Sequence, residues 1–188
     1  MRTLVTAAAM AALVSFGVPQ TARAQTFLTP YVGATFEGDA PASKLTAGLS
    51  VTFLGDLAGV ELDVGYTPDF FNESNDVALV ASSNITTAMV NVVISPEIGD
   101  GRVRPYVLFG GGLLRTRVDD DDILDRVSTN DTGVTIGVGV MALLSERAGI
   151  RGDLRYLRSL QDPPDANVDL ALGKFDFWRG TVGLLIRF

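Results

Sequence analysis

Through most of the chain after residue 43, apolar side chains return at every second position. Leu45, Ala47, Leu49, Val51 and Phe53 alternate with Lys44, Thr46, Gly48, Ser50 and Thr52. A period of two puts one set on each face of a β-strand. Ala58, Val60, Leu62, Val64 and Tyr66 oppose Gly59, Glu61, Asp63, Gly65 and Thr67, and Val134, Ile136, Val138 and Val140 oppose Thr135, Gly137 and Gly139. The last segment sets Trp178, Val182, Leu184, Ile186 and Phe188 against Arg179, Thr181, Gly183, Leu185 and Arg187. The pattern predicts eight strands, over 26–36, 43–54, 57–67, 83–95, 102–117, 131–145, 148–159 and 174–188. In 102–117 the phase is open, because Tyr106 to Leu114 is nearly all apolar or glycine, and 83–95 mixes both faces. Each segment is close to the ~9–11 residues that a tilted strand needs to cross a bilayer.

The connections fall into two classes. Those after the second and sixth segments are short, Gly55-Asp56 and Glu146-Arg147, and Pro96 to Gly101 is moderate and rich in turn formers. Those after the odd segments are polar, and three are long: 68–82, 118–130 and 160–173. Short turns at one end and longer loops at the other are the habit of outer-membrane barrels.

The first 24 residues do not alternate. Arg2 is followed by the alanine-rich apolar stretch Leu4 to Val18 and by Ala22-Arg23-Ala24, a small-x-small cleavage pattern. The expectation is a signal peptide, 1–24, and a single barrel domain, 25–188, with Gln25 as the new N-terminus. An anchor helix is the competing reading, but the stretch is short for a span of ~20 residues. No cysteine follows the site, so a lipoprotein signal is not expected. The chain ends with the last strand, so no C-terminal peptidoglycan-binding domain is expected either.

Composition narrows the chemistry. The 188 residues contain no cysteine and no histidine, which removes disulfides, thiolate sites and the commonest base and metal ligand. Twenty-two acidic against 15 basic residues argue against nucleic acid as a partner. Losing the leader, with Arg2 and Arg23, would make the charge more negative still.

Alternation alone does not separate a soluble β-protein from a membrane barrel, because the apolar stripe points to the core in one and to lipid in the other. Four features favour the membrane. Aromatic residues sit near strand ends: Phe36, Tyr66, Tyr156 and Trp178 toward one rim, and Phe27, Phe53 and Phe188 toward the other. The terminal Phe188 resembles the C-terminal signal read by the barrel-assembly machinery. The polar face is rich in Gly, Thr and Ser, which suit a narrow lumen. The leader directs export. With an even strand count, both termini are expected in the periplasm.

The run Asn91-Val-Val-Ile-Ser, a turn, and then Arg104-Pro-Tyr-Val-Leu-Phe-Gly-Gly-Gly112 resembles the central hairpin of the OmpA-like and OmpX-like small barrels. Asp153-Leu-Arg-Tyr156 resembles their seventh strand, with an inward acid and base. The resemblance covers the mature chain and implies a fold: all-β, an eight-stranded antiparallel up-and-down transmembrane barrel. It does not imply an activity.

Eight strands leave an interior that side chains nearly fill. Lys44 and Arg187 also lie on the polar face, but six inward charges, Glu61, Asp63, Arg151, Asp153, Arg155 and Arg179, would be packed together and must pair. They are expected to form a lumenal salt-bridge network joining the third, seventh and eighth strands, fixing barrel shape; the functional alternative is a gated ion path. Asp119, Asp120, Asp121, Asp122 and Asp125, with Asp131, are expected on an outer acidic loop, and Asp162, Asp165 and Asp169 on another. Such loops could attract divalent cations, directly or as bridges to lipopolysaccharide phosphates, but they lack EF-hand spacing. The Asn-x-Ser/Thr triplets at Asn72, Asn84 and Asn130 are expected by chance. Enzymatic small barrels, such as lipid A-modifying enzymes, phospholipases and omptin proteases, use histidine, so catalysis is not expected and no cofactor is implied. The expected partners are outer-membrane lipid, lipopolysaccharide and the assembly machinery, with the barrel itself a monomer. A structural or interaction barrel leads, and a narrow pore for ions or small solutes is the alternative.

Overall fold

In the computed structural model, which describes residues 25–36, 38, 43–68, 82–99, 101–119, 127–160 and 176–188, eight strands close into one antiparallel barrel. They are β1 (Gln25–Phe36), β2 (Lys44–Leu54), β3 (Ala58–Pro68), β4 (Ser82–Ile94), β5 (Val103–Asp119), β6 (Val127–Leu143), β7 (Ala148–Ser159) and β8 (Asp176–Arg187). Each pairs with its neighbour in sequence, and β1 pairs with β8, so no edge is left open between them. Residues 1–24 lie outside the described residues, as do Asn72, Asp120, Asp121, Asp122, Asp125, Asp162, Asp165 and Asp169.

The register fixes the shape. Cα partners followed once round the barrel from Gln25 run through Leu54, Gly59, Val93, Leu108, Gly137, Arg155 and Arg179, and return to β1 at Thr35. That offset of ten residues is the shear. At ~3.3 Å per residue and ~4.8 Å between strands it sets a tilt of about 40° and a backbone radius of about 8 Å. Such a lumen is wide enough only for side chains.

The alternation sorts the two faces. Leu45, Leu62, Val64, Ile136, Val138, Val182 and Leu184 point outward and are exposed. Inward positions are buried, and many are small. Gly48 lies under the ring of Tyr31, where a Cβ would collide with the phenol and with Val64 O, and Gly139 stands in the same relation to Tyr106. Small residues on one strand thus make room for large ones on the next.

Two expectations change at the strand ends. The segment expected at 131–145 begins at Val127, and β5 runs on to Asp119, because Val118 pairs with Val127, Arg117 with Ser128 and Arg115 with Asn130. The polar run Ser128-Thr129-Asn130-Asp131 has no alternation and reads as loop, but the hairpin ladder carries it into a strand. Asp119 therefore ends β5, and Asp131 lies within β6, buried on the inner face. Asn84 and Asn130 are also in strands. Phe27, expected in an aromatic girdle, is fully buried and faces the lumen. Phe53 and Phe188 are exposed at that end, and Tyr66 at the other.

Candidate functional site

The inner face is layered. At the end carrying the short turns, Phe27, Leu54, Val93, Tyr106, Leu108, Met141 and Leu185 form one apolar cluster. Toward the opposite end, Ile85, Met89, Leu114, Leu157 and Phe177 form a second. Between them lies a layer of charge.

That layer brings together all six charges singled out from the sequence, supplied by β3, β7 and β8. Arg155 is at its centre. Its Nη1 donates to Glu61 Oε1 at 2.9 Å across the lumen, and its Nε to Asp153 Oδ1 at 2.9 Å on its own strand. Asp63 Oδ2 is 3.4 Å from the same Nη1. Arg151 Nη2 lies 2.5 Å from Glu61 Oε2, and Arg179 Nη2 donates to Asp63 Oδ1 at 2.5 Å. Glu61 and Asp63 are fully buried, and the three guanidinium groups nearly so. Three acids face three bases, so the layer is neutral, as burial requires.

Neutral groups complete the layer. Arg151 Nε donates to Tyr106 Oη at 2.7 Å, and Tyr106 Oη donates to Asp153 Oδ2 at 2.9 Å. Asn91 Nδ2 donates to Glu61 Oε1, Thr181 Oγ1 to Asp153 Oδ1, and Arg179 Nη1 to Thr87 Oγ1. Ser50 and Thr52 accept from Arg151. Arg151 and Arg179 also lie over the rings of Tyr106 and Tyr31. None of these neutral partners is among the residues expected from the sequence. A signal for two of them was present: the tight turn after β2 sets a register in which Ser50 faces Asp63 and Thr52 faces Glu61. Tyr106 lay in the one segment whose phase was open.

A second polar centre sits at the short-turn end. Arg104 Nη2 donates to the carbonyls of Gly55, Asp56 and Ser95, and Nη1 to Glu97 Oε1 at 2.9 Å. One guanidinium thereby ties the β2–β3 turn to the β4–β5 turn. Among the described residues no group of three or more acidic side chains could hold a metal ion.

The model of the outer membrane protein beta-barrel domain family matches residues 8–184. No curated protein matches the chain. Three solved structures illustrate the fold. Neisserial surface protein A superposes with a TM-score of 0.65 at 12% identity, covering 87% of this chain and 97% of its own. A major outer membrane protein of Thermus thermophilus gives 0.59 at 17% identity, with 87% and 99% covered. The outer membrane protein OprG of Pseudomonas aeruginosa gives 0.57 at 16% identity, with 89% and 97% covered.

Proposed function

Because the chain belongs to the outer membrane protein beta-barrel domain family, we propose that it is a structural or interaction barrel whose lumen is closed by its own side chains. Its place is the outer membrane of a Gram-negative-type bacterium. The observation that carries the proposal is the neutral six-charge layer spanning the lumen between two apolar clusters. An ion would have to displace buried guanidinium–carboxylate pairs, and then pass an apolar cluster on either side. Within the layer the three carboxylates are each committed to a guanidinium, and the chain has no histidine or cysteine to act as a base or nucleophile. We read the protein as non-catalytic and without a cofactor.

The same proposal extends to the rest of the chain. Residues 1–24 serve as a cleaved export signal. The short turns and both strand termini face the periplasm, and the long connections face outward. The acidic residues Asp119–Asp122 and Asp125 are displayed on the outer side, where divalent cations would bridge them to lipopolysaccharide phosphates. Phe188, exposed at the end of the last strand, serves the assembly machinery. The barrel acts as a monomer.

Single-channel recording in planar bilayers tests the closed lumen. The expected record is a flat baseline. A steady unitary conductance would replace the proposal with a narrow pore for ions or small solutes.

A further inference from the structure

We propose that the rim between the Leu144–Arg147 turn and the end of β8 binds the headgroup of a zwitterionic, ammonium-bearing phospholipid of the inner leaflet, with one acyl chain lying along the β7–β8 outer face. This deepens the reading above and rests on its orientation of the barrel.

The site begins with a depression of about 560 Å³ lined by Glu146, Arg147, Ile186, Arg187 and Phe188. Arg187 also lines a neighbouring hollow of about 420 Å³ on the other side of the same turn. The turn is a defined structure: Leu144 N and Ser145 N both donate to Ala148 O, and Ser145 Oγ accepts from Ala148 N at 3.0 Å. Arg187 N donates to Arg147 O at 2.9 Å, which fixes the strand end against the turn. Among the described residues Glu146, Arg147 and Arg187 make no ion pair, unlike Arg104 and the lumenal arginines. Arg147 and Arg187 line the depression together with Glu146, a set of charges that complements a phosphate with an ammonium close by. Planar guanidinium forks suit phosphate oxygens, and the carboxylate suits the ammonium.

The apolar half of the ligand is matched as well. Phe188 is 78% exposed and Leu144 73% exposed at this rim. From there the outer face of β8 climbs through Ile186, Leu184 and Val182, the last two exposed. Beside Val182 on β7 stands Gly152. A Cβ added at Gly152 would meet only Thr181 O, at 3.9 Å, so packing does not demand glycine there. The missing side chain leaves a shallow furrow across the outer face of β7, between Ile150 and Leu154. The depression at the rim and the furrow above it both border the lipid-facing belt, and the charges of the one suit one end of a phospholipid and the hydrocarbon around the other suits its acyl chain.

The test is native mass spectrometry of the protein extracted from membranes in mild detergent, titrated with phosphatidylethanolamine, phosphatidylglycerol or inorganic phosphate. The wild type should retain one phosphatidylethanolamine, in preference to phosphatidylglycerol, and inorganic phosphate should not displace it. Arg147→Gln should weaken retention roughly tenfold, the loss expected for one charge-assisted contact. Glu146→Gln should abolish the preference between the two lipids. Gly152→Leu, which fills the furrow without touching the headgroup, should also lower retention. Heat-modifiable migration on gels shows that each variant is folded. Wild-type retention by both Arg147→Gln and Gly152→Leu would overturn the proposal, as would equal binding of both lipids or displacement by phosphate alone. Failure of the orientation has a separate signature. Because the chain has no cysteine, labelling of a Glu146→Cys variant by an impermeant maleimide on intact cells would reverse the barrel and overturn the inner-leaflet site with it, whereas protection from the label with lost lipid selectivity would overturn the site alone.

Discussion

The middle of the lumen and its two ends solve the same packing problem by opposite means. The middle layer holds three acids and three bases whose energy depends on every partner being present. The end layers hold hydrocarbon, including Phe27 and Leu54 at one end and Leu114 and Phe177 at the other, and each side chain there contributes mainly its own burial. The difference is one of cooperativity: a buried ion pair is weak evidence for net stability, yet removing one partner strands the other. Hydrocarbon removed from a packed layer costs its transfer energy and a cavity, but leaves nothing unpaired.

The sharpest way to break that comparison is Arg155→Met. It takes away the group that answers Glu61, Asp63 and Asp153 together, and is expected to cost about 4 kcal/mol in urea unfolding of the barrel in lipid vesicles. Adding Glu61→Leu should restore part of this loss, since the second variant removes the stranded charge. A double variant no better than the single one would mean that the layer is not cooperative. In an end layer, Leu54→Ala should cost about 3 kcal/mol by the same measurement. A second substitution, Phe177→Ala at the opposite end, should simply add to it, because the two clusters share no members.

The two kinds of layer also differed in how far they could be read from sequence. The eight strands and their outward faces are readable because a lipid-facing row must be apolar at every second residue, which leaves a regular mark. The six charges are readable for the same reason, since Glu61, Asp63, Arg151, Asp153, Arg155 and Arg179 interrupt hydrocarbon at that period. The end layers are not. Phe27 and Leu54 are apolar residues on the inward phase, and near a strand end an inward aromatic looks like a girdle residue. The extension of β6 back to Val127 was hidden for another reason. It depends on ladder pairing with β5, and no alternation in Ser128–Asp131 announces it. Local pattern records what a residue faces when its surroundings are uniform, as lipid is, and loses it where the inner environment changes every few ångströms.

Large inward side chains of either kind depend on absent ones beside them, and Gly48→Ala sharpens that point. Its methyl would press on the Tyr31 ring and Val64 O, backbone that cannot move without disturbing β3. The expected cost is about 2 kcal/mol, from overpacking. Gly152→Ala, facing lipid with space around it, should leave the unfolding midpoint unchanged, and the contrast between the two variants is the measurement that counts.

The smallest effect separates burial from mere pairing. Arg104 and Glu97 form an ion pair at 2.9 Å, as short as Arg155 to Glu61, but the Glu97 side chain is 49% exposed. Water already solvates its carboxylate, so Glu97→Gln should cost less than about 1 kcal/mol. Arg104 would keep its bonds to the carbonyls of Gly55, Asp56 and Ser95, and hydrogen exchange in the β2–β3 turn should stay slow. Raised salt should shrink even this difference, while leaving the cost of Arg155→Met almost untouched, because screening reaches the rim but not the lumen. Equal salt sensitivity at both places would show that ions reach the middle layer and that the lumen is not closed.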